Sequence, residues 1–182
     1  MVNQPRVTYM SNEAFGFRGM SEDDVEECVS LYRQMVDHHR EIYQDDTIPY
    51  ADDMLKKKLQ RTDENYIKMV AEEKGQIVGL LTIEIKGRTC ELDEIIVAKG
   101  KRGMGIGKVF ADYTKKTALG RGCTEIQVSF AARNVRALRF YHKMGLNCLG
   151  MIQLFMSLTE GGREQWYKRG KTTSFLGYKY YY

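Results

Sequence analysis

The 182 residues are 43% hydrophobic and 29% charged, ordinary values for a globular chain, and their number fits one domain. At this length roughly 70% of the unfolded surface can be buried, so a core forms without disulfide staples. Net charge is +4, no apolar run approaches the ~20 residues of a membrane span, and the opening MVNQPRVTYM lacks the apolar stretch of a secretory signal.

The charge is split along the chain. Residues 1–98 hold 12 Lys and Arg against 20 Asp and Glu, net −8, and residues 99–182 hold 16 against 4, net +12. A basic half fits an anionic ligand and an acidic half a cationic one; nucleic acid accounts only for the first. Cys28, Cys90, Cys123 and Cys148 are scattered without paired spacing, and His38, His39 and His142 do not join them. That pattern predicts reduced thiols in a cytoplasmic protein and no metal site.

Phe15–Met20 alternates like a short strand. Ser21, with Asp24 three residues on, predicts the N-terminus of a helix carrying Val25, Cys28, Val29, Tyr32, Met35 and Val36 on one face. DDTIPY breaks it, and ADDMLKKKLQRT reads as a shorter helix. NYIKMVAEE and QIVGLLTIEIK flank Lys74–Gly75 as a hairpin, and TCELDEIIVAK is a third strand. A helix follows from Gly105 to Leu119, with Ile106, Val109, Phe110, Tyr113 and Thr117 on one face and Gly120 and Gly122 as its stop. TEIQVSF is a strand, Asn134–Met144 a helix capped by Gly145, and CLGMIQLFMSL a long apolar strand with which EQWYKRG pairs back. A meander followed by strand, helix and strand makes an α/β domain with a mixed sheet.

The stretch KRGMGIGKVF, residues 101–110, sits between a strand ending at Val97 and a helix N-terminus. The first N–H groups of a helix lack partners and carry partial positive charge. Gly103, Gly105 and Gly107 let a phosphate approach the backbone, and Lys99, Lys101, Arg102 and Lys108 add charge. A P-loop does not fit, because Lys108 is followed by Val109 where a hydroxyl is needed. A dinucleotide fingerprint fits poorly too, the spacing being GxGxG.

LDEIIVAKGKRGMGIGKVF resembles the acetyl-CoA loop of the GNAT superfamily of N-acetyltransferases, whose Arg/Gln-x-x-Gly-x-Gly/Ala pattern falls on Arg102, Gly105 and Gly107. NVRALRFYHKMGL resembles the superfamily's second element on Asn134, Ala137, Tyr141 and Gly145, with Leu146 where phenylalanine is common. The likeness is close over about residues 80–150. Lys99 stands where proline often precedes the loop, and Gly100 loosens the approach.

The resemblance implies a GNAT-like fold over residues 1–182 as a single domain. Its sheet is mixed, mostly antiparallel and twisted, flanked by about four helices, with a central strand–helix–strand cofactor site. It implies acetyl-CoA as cofactor and acetyl transfer to a primary amine by direct attack in a ternary complex. The amides of Arg102, Gly103, Met104, Gly105, Ile106, Gly107 and Lys108 would cradle the pyrophosphate, and the backbone of Ile95, Ile96 and Val97 would pair with the pantetheine arm. Asn134 is an N-cap, a cofactor contact, or both. Tyr141 is either core packing or the acid that protonates the departing thiolate, a role worth about 10²–10⁴-fold.

The amine must lose a proton before attack, and ELDEII offers Glu91, Asp93 and Glu94. Alternation puts Glu91 and Asp93 on one face and Glu94 on the other, a parity that a bulge, usual in the superfamily, would disturb. Glu91 and Glu94 are the candidates for the base; His38 and His39 either serve instead or complement a helix C-terminus. The expected acceptor is a small-molecule or peptide amine, cationic as the acidic field of residues 1–98 suggests, with Asp45, Asp46, Asp52 and Asp53 either gathering it or only keeping the surface soluble. Neither nucleic acid nor membrane is a partner; a homodimer is compatible with the sequence. The alternatives are a non-catalytic acyl-CoA sensor, which would release no thiol with amines, and a nucleotide-binding protein, which would prefer ATP or NAD.

Overall fold

The computed structural model describes residues 14–151, 153, 172–175 and 178–181. The elements run β1 (Gly16–Gly19), α1 (Val25–Tyr43), α2 (Asp52–Leu59), β2 (Tyr66–Glu73), β3 (Gln76–Lys86), β4 (Thr89–Val97), α3 (Ile106–Gly120), β5 (Glu125–Val128), α4 (Val135–Lys143), β6 (Thr172–Phe175) and β7 (Tyr178–Tyr181). They form two compact units, Met1–Val36 with Pro49–Ser129, and Asp37–Ile48 with Phe130–Tyr182.

The first unit is an open five-stranded sheet in the order β1-β2-β3-β4-β5. Strands β1 to β4 are antiparallel neighbours, and β5 lies parallel to β4 after the α3 crossover. Lys74 and Gly75, both at positive φ, turn the β2–β3 hairpin where the sequence places it. On one face of the sheet Val25, Cys28, Val29 and Leu31 of α1 and Leu55 and Leu59 of α2 pack on Val70, Leu80 and Ile96. A turn over Glu22–Asp24 leads into α1; the Asp24 carboxylate accepts from the Ser21 amide at 2.7 Å and from the Arg18 guanidinium at 2.6 and 2.9 Å. This buried pair ties the start of α1 to β1.

Helix α3 covers the other face. Its buried line is Ile106, Phe110, Thr114 and Ala118, with Val109, Tyr113 and Thr117 half-buried at its side. The sequence places the line one position off because Thr114 reads as polar; its hydroxyl donates to the Phe110 carbonyl at 2.9 Å and so can be buried. A Cβ built on Gly79 of β3 would stand 3.0 Å from both Ile106 and Phe110, so glycine there seats the first turn of α3 against the sheet. The Phe110 ring meets Phe17 edge-on at 5.7 Å. Cys28, Cys90 and Cys123 are buried, and burial pushes the Cys28 thiol up to about 12.

In the second unit, α4 ends at a left-handed Gly145, φ +97°, as the sequence predicts, and β6 pairs with β7 antiparallel. The long apolar strand expected from Cys148 is absent over residues 148–151, which are irregular, and the rest of that segment lies mostly outside the described residues, as does EQWYKRG. No helix among the described residues is long and apolar enough to cross a membrane.

Candidate functional site

Strand β4 changes character halfway. From Thr89 to Leu92 it is flanked on both sides, by β3 and by β5. From Glu94 to Val97 it pairs with β3 alone, so among the described residues its second edge carries no strand partner. Parallel β5 stops opposite Leu92, and the two strands part there. The edge of Ile95, Ile96 and Val97 is therefore a template for an extended amide-bearing chain, the type of contact expected for a pantetheine arm.

The open edge leads into the glycine loop. A short turn over Lys99–Lys101 carries the chain to Gly103, φ +88°, and Gly105, φ +93°. Only glycine adopts these angles at no steric cost. The Gly105 carbonyl accepts the first helical bond, from Val109, at 3.2 Å. The amides of Ile106, Gly107 and Lys108 consequently belong to the unpaired first turn of α3. Gly107 lies inside the helix, so its smallness and not its φ matters. Two glycines at positive φ ahead of a helix N-terminus form a cradle whose donor set suits a pyrophosphate.

The cations of the loop are less available than their count implies. Lys101 pairs with Glu73 at 2.5 Å and Lys108 with Asp112 at 2.6 Å. The Arg102 Nε donates to the Val97 carbonyl at 3.0 Å, fastening the loop to the end of β4. The Lys99 amide donates to the Gln34 side chain of α1 at 3.1 Å.

The three acids of ELDEII all face α1 and α2, correcting the strict alternation. The register of β3 and β4 slips between Thr82 and Ile83, so that Thr82 opposes Glu94 and Ile83 opposes Leu92, with Asp93 as the extra residue. This bulge turns Glu94 to the side that Glu91 already occupies across from Glu84. Glu91 is part of a surface ion chain: it contacts Lys86, which contacts Glu84 at 3.2 Å, which contacts Arg61 at 2.6 Å. Glu94 is different. Its side chain is only 17% exposed, and burial lifts its carboxyl to about 7 from an ordinary value near 4.5; the Lys58 ammonium pulls it down and the Asp93 carboxylate adds to the rise. A carboxyl titrating near neutrality suits proton transfer.

Lys58, in the last turn of α2, is the residue that sequence reading missed. Its Nζ lies 2.7 Å from Asp93 and 3.7 Å from Glu94. Tyr66 of β2 donates its hydroxyl to the same Asp93 oxygen at 2.9 Å, with the Arg61 guanidinium 4.1 Å over its ring. Lys68 caps α2 by donating to the carbonyls of Leu59 and Arg61 at 2.5 and 2.6 Å, which fixes the turn that carries Lys58. Tyr32 of α1 completes the surroundings: burial raises its hydroxyl, and the Glu94 and Asp93 charges add to that.

The remaining candidates lie in the second unit. The Asn134 side chain accepts from the Ala137 amide at 3.0 Å, so it is an N-cap of α4. Tyr141 is 8% exposed, its ring 5.4 Å from Phe130 and 5.2 Å from Phe140. His38 lies 3.6 Å from Glu41, and burial together with its neighbour His38 lowers the affinity of His39 for a proton. Of the acids expected to gather cations, Asp52 is bound by Arg33 and Asp45 accepts from Thr47, whereas Asp46 and Asp53 are exposed.

Comparison with known proteins agrees with this geometry. Residues 29–146 match the model of the acetyltransferase (GNAT) family. The protein YdhI of Bacillus subtilis (strain 168) is 34% identical over 76 residues, 40% of this chain; the chain spans 44% of that relative's length. An aminoglycoside acetyltransferase from an uncultured soil metagenomic sample, solved with trehalose, superposes with a TM-score of 0.60 at 20% identity, covering 81% of this chain and 99% of that one. The PaiA N-acetyltransferase of Thermoplasma acidophilum, solved with coenzyme A, gives 0.61 at 18% identity, covering 74% and 88%. At such identities these structures establish a shared fold.

Proposed function

The chain belongs to the GNAT family of acetyltransferases, and from that premise we propose that it moves an acetyl group from acetyl-CoA to a primary amine, the amine attacking the thioester directly. The observation that carries the reading is the parting of β4 from β5, which leaves a strand edge without a strand partner among the described residues, running straight into the glycine cradle of α3. An amide-bearing arm that ends in a pyrophosphate matches that sequence of donors and acceptors.

Acetyl-CoA, when bound, supplies the activated acetyl group. The chain's own residues bind, orient and move protons. The amides of residues 102–108 hold the pyrophosphate, and Arg102 keeps the loop against Val97. The backbone of Ile95–Val97 aligns the arm, and such alignment is the main source of rate in a reaction between two bound partners. Glu94 takes the proton from the acceptor's ammonium, whose lone pair is otherwise unavailable. Glu91, engaged with Lys86 in the surface chain, is the weaker candidate. The Tyr141 hydroxyl holds the proton destined for the leaving sulfur.

The acceptor we propose is a cationic amine: a polyamine, an aminoglycoside or a peptide amine. The −8 charge of residues 1–98 supports it, a sum in which Arg33 and Lys56 already offset Asp52 and Glu26, the acids they pair with in the folded chain. The test is a panel of amines with acetyl-CoA, reading free thiol at low and high salt. Cationic acceptors should react best, with kcat/KM falling as salt screens the field over about 10 Å at 0.1 M. Thiol release with no amine in the panel would leave only a CoA-binding module; preference for anionic amines would remove the cationic acceptor.

Tyr141→Phe should lower kcat about 100-fold, in the range of a lost general acid, and weaken CoA binding much less. Stopped-flow measurement of the chemical step decides it. A step as fast as wild type would return Tyr141 to core packing between Phe130 and Phe140.

A further inference from the structure

The bulge of β4 presents two adjacent carboxylates to one ammonium, and the three groups do not share it evenly. Lys58 Nζ is 2.7 Å from Asp93 and a full ångström farther from Glu94. Asp93 also accepts the Tyr66 hydroxyl, so it has two donors on one oxygen. Among the described residues Glu94 has only the long contact with Lys58. All three side chains are largely covered, at 29%, 22% and 17% exposure for Lys58, Asp93 and Glu94, so water screens them weakly.

A base that carried Lys58 at close range would be a poor one. The ammonium would stabilise the carboxylate, weaken its hold on a proton, and stand where an acceptor amine must come. The observed arrangement avoids this. Asp93 is the extra residue of the bulge, so its existence beside Glu94 depends on the register slip and not on strand alternation. Tyr66, itself steadied by Arg61, orients Asp93 from β2. Lys68 fixes the C-terminal turn of α2 from which Lys58 extends. The groups facing Glu94 are thus Tyr32 from α1, Lys58 from α2, Tyr66 through Asp93 from β2, buried Thr82 from β3, and Asp93 from β4.

We propose that Asp93 and Lys58 are positioning residues for Glu94: Asp93, oriented by Tyr66, acts as a decoy carboxylate that anchors the Lys58 ammonium away from Glu94 and leaves that carboxyl open to the acceptor's proton. The inference rests on the reading of Glu94 as the base where activity is concerned, but its core is a statement about the Glu94 carboxyl that can be measured without any substrate. It predicts opposite effects for two substitutions. In Asp93→Asn the decoy charge is gone, Tyr66 keeps a hydrogen-bond acceptor, and Lys58 swings to Glu94. In Lys58→Met the ammonium is gone and two carboxylates face each other.

The experiment is a pH titration of the full-length chain labelled with 13C at the Glu carboxyls, with the Glu94 resonance assigned from its disappearance in Glu94→Gln. The Glu94 midpoint should fall by at least about one pH unit in Asp93→Asn and rise by a similar amount in Lys58→Met, each a tenfold change in proton affinity. Lys58→Arg should return it close to wild type. Lys58→Gln serves in place of Lys58→Met if the latter does not fold. Midpoints that stay put, or move the same way in both variants, would mean that the trio only ties α2 to β4, and the proposal would be wrong. The acid limb of kcat/KM is then recorded for the same variants. If the midpoints move oppositely and the limb follows them, both ideas hold; if the limb stays, the decoy stands and Glu94 is not the base.

Discussion

Gly105→Asp is expected to leave the protein folded and to weaken CoA binding by about 100-fold or more. Gly105 is the N-cap of α3, in a left-handed conformation that asparagine and aspartate tolerate better than other side chains. Aspartate is also a favourable capping residue, because its carboxylate accepts from the unpaired amides of the first turn. Those amides, of Ile106 to Lys108, are the ones assigned to the pyrophosphate. The substitution therefore fills the anion site with an anion of its own. Two unit charges about 5 Å apart at an effective dielectric near 20 repel by about 3 kcal/mol, which sets the size of the loss. Gly105→Asn is the control, having nearly the same shape without the charge, and should retain most of the affinity. Calorimetric titration with CoA reads both. Equal affinities for the Asp and Asn variants, both near wild type, would put the phosphates elsewhere.

The loop was legible because its signal is local. Gly103 and Gly105 need positive φ, a strand must precede them and a helix follow, and all of this is written in consecutive residues. Asn134 and Gly145 were legible as the two caps of α4 for the same reason. The carboxylates were legible only as a set. Which of them is sheltered depends on a bulge, and the bulge is a mismatch between β4 and β3, residues 82–83 against 92–94, that no property of ELDEII alone reveals. Lys58 was invisible for a stronger reason. In the sequence it is one of three successive lysines on a short amphipathic helix and reads as solvated charge. Its partner Asp93 lies 35 positions on, and only the docking of α2 on the sheet, through Leu55 and Leu59, aims it there.

Formal charge misled in the same way. The sequence counts Glu73 toward an acidic half and Lys101 toward a basic one, yet the two pair with each other in the folded chain, while Asp52, Glu26 and Lys108 pair with Arg33, Lys56 and Asp112 of their own halves. Exposed pairs of this kind contribute little to stability, about 0–1 kcal/mol each. They do neutralise one another at a distance. What remains near β4 is a half-buried group of two carboxyls and one ammonium, which carries an excess of one negative charge once Glu94 is ionised, and that is a sharper argument for binding an ammonium than the total over 98 residues.

Glu94→Gln is expected to lower kcat about 1,000-fold, within the range for a lost general base, and to change the pH dependence of stability in a defined direction. The Glu94 carboxyl titrates at about 7 in the folded chain and near 4.5 otherwise. Below pH 4.5 both states hold the proton. Between 4.5 and 7 the folded state holds a proton that the unfolded state has released, so stability falls as pH rises through this window. Above 7 both states are ionised, and the contribution of the protonated carboxyl has been lost in full. A shift of this size corresponds to about 3 kcal/mol. The glutamine variant has nothing to titrate there, so its stability relative to wild type should climb by about that amount between pH 4 and pH 8. Urea unfolding at a series of pH values measures the difference directly. The two halves of the prediction separate the chemistry from the environment. A rising relative stability with undiminished kcat would leave Glu94 sheltered but idle, and would pass the role of base to water or to another carboxylate. A flat relative stability would show that the carboxyl is solvated and ionised throughout, and with it would go the reason for choosing Glu94 over Glu91.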